Sequence, residues 1–139
     1  MTTTAHPTAL GACTPEALES CFAVAVARSD LDALVGLYAA DAVVSLPRGR
    51  EAAGSTAIRQ ALAAALAAGV LGGDGAAVSS RAVISGDLAM TTSTTVDGRV
   101  RTQVARRAPD GRWLWVRDGA RLRDIEVCLP AAPGALAVA

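Results

Sequence analysis

Aromatic side chains are scarce in this chain. Of 139 residues only Phe22, Tyr38, Trp113 and Trp115 carry a six-membered aromatic ring, 3% of the total, although 52% is apolar. A core with so little ring area must be built from small residues, and alanine and valine supply much of the apolar share. Histidine is scarcer still, with His6 alone near the start. Cysteine occurs three times, as Cys13, Cys21 and Cys128, and no CxxC pair exists. An odd count without that spacing argues against a disulfide framework and against a zinc site. It fits a reduced, cytoplasmic setting. No metal and no other cofactor is expected.

Charge of one sign is missing too. The 13 basic and 13 acidic residues cancel, so a nucleic-acid partner has no electrostatic support. No apolar run has the length of a membrane span, so no membrane partner is expected. The start, "MTTTAHPTALGAC", lacks the charged opening and apolar run of a secretory signal. Residues 1–13 therefore read as a disordered leader. The ending "PAAPGALAVA" reads as part of a flexible tail, 128–139.

What remains between them, 14–127, is patterned as one domain. "TPEALESCFAVAVARS" opens on Thr14 as a helix cap with Pro15 at the first helical position. Leu18, Cys21, Phe22, Ala25 and Val26 share a face at helical spacing. "SDLDALVGLY" predicts a short second helix capped by Ser29, with Leu31, Leu34, Val35 and Tyr38 as its stripe. "AVVSL" predicts a brief strand stopped by Pro47 and Gly49. "GSTAIRQALAAALAAG" predicts a third helix, with Ile58, Leu62 and Leu66 on one side and Gly69 closing it. The period then changes. Residues 77–85, 88–96, 99–107 and 112–123 predict four strands, punctuated by "GD", "DG" and "APDGR". Consecutive hairpins make a meander, so the fold class is α+β, helices packed on a mostly antiparallel sheet.

Two stretches carry a resemblance. "DLDALVGLYAADAVVSLPRGREAAGSTAIRQAL" and "GDLAMTTSTTVDGRVRTQVARRAPDGRWLWVRD" resemble the nuclear-transport-factor-2-like superfamily, also called SnoaL-like or ketosteroid-isomerase-like. The resemblance covers about residues 14–123. It implies a cystatin-like cone, three helices on a curved sheet around a pocket, and a homodimer formed through the outer sheet face. It does not imply one activity, since the fold carries isomerases, cyclases, dehydratases, epoxide hydrolases and binding modules. Where ketosteroid isomerases have a tyrosine and two aspartates, this chain has Phe22, Leu46 and Gln103. Leu46 cannot take a proton, so steroid isomerase chemistry is rejected. The second pocket tyrosine of that family is retained as Tyr38.

Strand alternation gives an expected pocket. Gln103 faces inward, with Arg101 able to do so in principle. Leu114, Val116 and Asp118 face inward on the last strand, leaving Trp113, Trp115 and Arg117 outside. Met90, Thr92 and Thr94 face inward on an earlier one. Asp118, Tyr38 and Gln103 are the candidate catalytic residues: the acid moves a proton and the other two hold an oxygen. Phe22, Leu46, Ile58, Met90, Thr92, Thr94, Leu114 and Val116 are the candidate substrate wall. An acid beside Leu114 and Val116 should have a raised pKa. Arg101, Arg106, Arg107, Arg121 and Arg123 read as a solvated rim.

The expected function is a small apolar-ligand pocket, working as a cofactor-independent acid–base enzyme of cyclase, isomerase or dehydratase type. Its substrate would be a small carbonyl or polyketide-like metabolite. The alternative is a non-catalytic ligand-binding or dimerisation module, with Asp118 a plain turn residue before Gly119. An epoxide-hydrolase-like site needs two acids flanking an arginine, and the sequence shows no second inward acid.

Overall fold

The computed structural model describes residues 12–129. The predicted leader and tail lie almost wholly outside that range. Among the described residues there are three α-helices: α1 (Ala17–Ala27), α2 (Leu31–Val35) and α3 (Ser55–Ala67). Six strands follow in chain order: β1 (Tyr38–Ser45), β2 (Glu51–Ala53), β3 (Ala77–Ser85), β4 (Leu88–Thr95), β5 (Val100–Arg107) and β6 (Trp113–Asp118). They form one sheet in the order β2-β1-β6-β5-β4-β3. Every pairing is antiparallel except β1 with β6. This is the expected α+β architecture, with the helices laid against one face of the sheet.

Local chemistry explains where the elements begin. Thr14 accepts a 3.3 Å hydrogen bond from the Ala17 amide, so it caps a turn that precedes α1. Asp30, not Ser29, caps α2: its Oδ1 accepts the Ala33 amide at 3.0 Å. Helix α2 ends at Val35, and Tyr38 belongs to β1 instead of the predicted helical stripe. The pairing of Tyr38 with Trp115, and the Trp115 amide donating to the Leu37 carbonyl, outweigh the helical pattern there. Helix α3 closes on Gly69, at φ +70°, a conformation that glycine adopts without steric cost.

The core is as alanine-rich as composition predicts. Ala25, Ala39, Ala42, Ala52, Ala61, Ala65, Ala89 and Ala105 are all buried beside Leu18, Leu34, Ile58 and Leu62. Both ends of the described chain contribute. Ala12 is buried and bridges to Trp113, and buried Cys128 donates its Sγ–H to the Ala61 carbonyl at 3.3 Å. The ordered packing therefore reaches slightly beyond 14–127 at each end.

One irregularity positions the site. Along β5 and β6, Gln103 pairs with Asp118 and Val104 with Arg117, but Ala105 pairs with Trp115. Val116 is the extra residue of a β-bulge. The bulge resets the alternation, so Trp113, Trp115 and Asp118 all turn to the helices.

Candidate active site

Asp118 ends β6 and is 2% exposed, its side chain fully buried. Its Oδ1 accepts the amides of Ala120 and Arg121, each at 3.0 Å. Its Oδ2 accepts Gln103 Nε2 at 2.8 Å and the Tyr38 hydroxyl at 3.4 Å. One oxygen therefore shapes the turn after β6 and the other joins a buried polar network. The structure brings the three candidate catalytic residues together. Burial, and then the Asp118 carboxylate, push the Tyr38 phenol far above its ordinary range. Tyr38 thus acts as a hydrogen-bond donor, never as a base near neutral pH.

The turn that Asp118 holds delivers Arg121 to the interior. The Arg121 guanidinium lies 3.8 Å over the Phe22 ring and 5.3 Å from the Trp115 ring centre. Its Nη2 donates to Glu19 Oε2 at 2.5 Å, and its Nε lies 3.8 Å from Asp118 Oδ2. Two buried acids therefore flank one buried guanidinium. Burial alone would lower the Arg121 pKa, but Glu19 foremost, with Tyr38 and Asp118, outweighs it and the net shift is upward. Glu19 also accepts Ser93 Oγ at 3.4 Å and sits 3.9 Å from Arg101 Nη2. Arg101 donates to the Gly75 carbonyl at 2.7 Å. Its pKa is lowered, by burial first and by Arg121 second. Among the described residues, Gln103 Oε1 and the Nε atoms of Arg101 and Arg121 have no hydrogen-bond partner.

This network meets a cavity of about 290 Å³. Helix α1 supplies one wall through Glu19, Phe22 and Val26; the segment Leu71–Ala77 supplies the other, and Arg121 the polar end. The lining is otherwise small and apolar, as a site for a small ligand requires. No group of three or more His, Cys, Asp or Glu side chains among the described residues could hold a metal ion.

Several expectations are corrected here. Met90, Thr92 and Thr94 point away from the helices; Thr91, Ser93 and Thr95 point inward. The run "TTSTT" has no apolar alternation to set its phase, and the pairing Thr91 with Gln103 fixes it. Trp113 and Trp115 are inside, and Leu114 is only half-buried on the outer face, because of the bulge at Val116. Val116 itself is buried at that bulge. Leu46 lines a different pocket, of about 280 Å³, with Ala52, Ala61 and Cys128. Ile58 is in the core of α3, fully covered. Phe22 does line the site. Arg101 and Arg121 are buried and not part of a solvated rim. Glu19 is the second inward acid that the sequence reading lacked. Its spacing from Phe22 and Val26, three and seven residues on, is the signal that could have found it: a charge within an apolar helical stripe.

Sheet, helices and pocket define a cystatin-like cone. A SnoaL-like domain model matches residues 7–126, and the chain belongs to that family. Solved structures agree on the fold. An NTF2-like protein with a cystatin-like fold from Novosphingobium aromaticivorans is 24% identical, with 69% of this chain and 71% of that one covered, at TM-score 0.50. A candidate dehydratase of the NTF2-like family from Streptomyces avermitilis is 18% identical, covering 70% and 86%, at 0.50. A candidate calcium/calmodulin-dependent protein kinase type II association domain from Thiobacillus denitrificans is 22% identical, covering 82% and 96%, at 0.52. At these identities the likeness is one of fold alone. No curated protein matches the chain.

Proposed function

We propose that this domain is a cofactor-independent acid–base enzyme acting on a small, largely apolar carbonyl compound, of dehydratase or isomerase type. The observation that carries the reading is the Glu19–Arg121 pair set at the polar end of an apolar cavity. Glu19 is the carboxylate that lines the cavity, so it moves the proton. Arg121 is the fixed cation beside it, held flat by Phe22 and Trp115, and steadies charge that develops on a substrate oxygen. Asp118, with Gln103 and Tyr38 on its Oδ2, anchors the turn that carries Arg121 and orients the guanidinium. In an isomerisation Glu19 takes the proton beside the carbonyl and returns it to another carbon. In a dehydration it takes that proton and gives it to the departing hydroxyl, which leaves as water. The two acids across one arginine also suit the opening of an epoxide by water.

Phe22 and Val26 shape the apolar side, and the cavity volume is at the small end for ligand sites. A candidate dehydratase among the structural neighbours agrees with this class. The outer sheet face, where Val83, Met90 and Val104 form one cross-strand row, fits a homodimer. A cytoplasmic location belongs to the same reading. Among the described residues no helix is long and apolar enough to cross a membrane.

The non-catalytic reading draws support from Asp118, whose two oxygens already accept four hydrogen bonds. A screen of small hydroxyketones, unsaturated ketones and epoxides separates the two. Turnover by the wild type, cut at least about 100-fold by Glu19→Gln with ligand binding kept, is the expected result. Ligands that bind without turnover would establish the binding module. Turnover unaffected by Glu19→Gln would remove Glu19 as the proton carrier.

A further inference from the structure

The cavity beside Glu19 has a direction. Helix α1 lines it with Glu19, Phe22, Ala23, Val26 and Ala27. That spacing is one continuous stripe of a helix, so the cavity runs along α1 and not across it. Arg121 stands at the Glu19 end, where its Nη2 meets the carboxylate. The opposite wall, the segment "LGGDGA", runs the other way. Arg101 Nη2 lies 2.7 Å from the Gly75 carbonyl and 3.9 Å from Glu19 Oε1, which puts Gly75 at the polar end. A Cβ on Gly72 would lie 3.9 Å from Val26 Cγ1, which puts Gly72 at the far end. Val26 and Gly72 close the slot there, and a φ of +89° keeps Gly72 a glycine, bare of side chain. Ala23 and Gly73 are exposed, so the slot opens to solvent along its side.

Polarity is confined to one end. Glu19 and Arg121 are the charged side chains of the lining, and every other lining residue is apolar or glycine. The wall's carbonyls are already engaged: Gly72 and Gly73 accept the Gly75 and Ala76 amides at 3.1 and 3.0 Å, and Gly75 accepts Arg101. We propose that the substrate is a linear compound with one polar head and an unbranched apolar tail, and that Val26 sets the length of the tail. The carbonyl head meets Glu19 and Arg121, and the tail lies along α1 between Ala23 and the glycines. Val26 lies seven residues beyond Glu19. Those residues span about 10 Å of helix, and an extended chain advances about 1.2 Å per bond, so a head and a tail of about five to seven carbons fill the slot. Val26 is a specificity residue: it touches the end of the tail and not the reacting atoms.

The slot rests on the reading of this cavity as the substrate pocket, but its test asks for binding alone, so a lack of turnover bears on Glu19 and not on the slot. The probes are straight-chain methyl ketones with tails of increasing length, titrated into the full chain by calorimetry. Affinity should rise about three- to fourfold with each methylene until the tail reaches Val26, then stop rising. Val26→Ala removes two methyl groups and should move that break to tails about one or two carbons longer. Val26→Ile adds one methyl and should move it about one carbon shorter, and it decides the matter if Val26→Ala does not fold. Val127→Ala, in the other pocket, should leave the break in place. Overhauser contacts should run from the terminal methyl of the bound ketone to the Val26 methyls. A wild-type affinity with no break, a break that the Val26 variants leave in place, or a terminal methyl found beside Phe22 would overturn the slot and spare the pocket. No binding by any member of the series would overturn both.

Discussion

On the inner face of β3 to β6, the helices cover Thr91, Ser93, Thr95, Arg101, Gln103 and Asp118. On the outer face Val83, Met90 and Val100 stand 77%, 54% and 62% exposed. Polar groups are thus buried beside Ala89, Ala105, Trp113 and Trp115, while several large apolar side chains stand outside. The inner face offsets this burial by pairing its charges, since a lone buried charge costs several kcal/mol, although Gln103 Oε1 and the Nε atoms of Arg101 and Arg121 stay unpaired. Such a network is weak evidence for stability and stronger evidence for a site. Among the described residues nothing covers these side chains, and an exposed apolar patch of that kind marks a contact surface. On the proposed reading the sheet separates two tasks, chemistry beneath and assembly above.

Removing the centre of the inner network should have the largest effect. Arg121→Met leaves Glu19 and Asp118 buried without their shared cation, and should cost about 3–5 kcal/mol in a urea titration. A loss under about 1 kcal/mol would mean the acids are better hydrated than their burial indicates. Asp118→Asn keeps the shape but opposes the new amide to donors on Gln103 or the Ala120 and Arg121 amides. A loss of about 1–3 kcal/mol is expected by the same measurement.

Alkaline pH tests the interior in a second way. Burial raises the Cys128 thiol from 9.0 to about 11, and burial with Asp118 raises Tyr38. Both groups are neutral acids whose native state holds its proton more tightly than the unfolded chain. The Cys128 contribution is full below 9.0 and is lost as pH rises to about 11, and the Tyr38 contribution begins to fall only above 10.0. Thermal unfolding should therefore weaken steadily above pH 9, and Cys128→Ala should flatten that slope. An equal slope in the variant would show that Cys128 ionises freely in the native state.

The outer face should respond least in the monomer and most in association. Met90→Lys should change monomer stability by no more than about 0.5 kcal/mol. Sedimentation should nonetheless show the dimer weakened. A monomeric wild type at high concentration would leave the apolar row to another partner.

The elements of the fold were legible because their signals are local. Capping, helical spacing and the turn dipeptides located α1, α3 and the starts of the four meander strands within a few residues, while the last strand ends at Asp118 and not at 123. The short strand β2 carried no such signal. The site was only half legible. Gln103 and Asp118 do turn to the helices, and Tyr38 was drawn from the family motif. Strand phase failed wherever it depended on something non-local. Val116 looks like any other strand residue, and its bulge exists only through pairing with β5. Thr91 and Thr92 are chemically the same, so burial cannot be read from type. Arg121 was read within a strand running to 123, but β6 ends at Asp118, and the turn that the Asp118 carboxylate holds brings Arg121 inside.

The order of the sheet has a consequence for synthesis. Strand β6 is the last to be made, yet it lies between β1 and β5. Tyr38 waits 80 residues for Asp118, and Glu19 waits 102 for Arg121. Without β6 the strands divide into β2-β1 and β5-β4-β3, each with an open edge, and Glu19 has Arg101 but not Arg121. Closing such distant pairings is slow, and the open edges invite contact with other chains meanwhile. The charged interior is therefore completed in the final step of assembly, and a message truncated before codon 113 would yield a sheet with its middle missing.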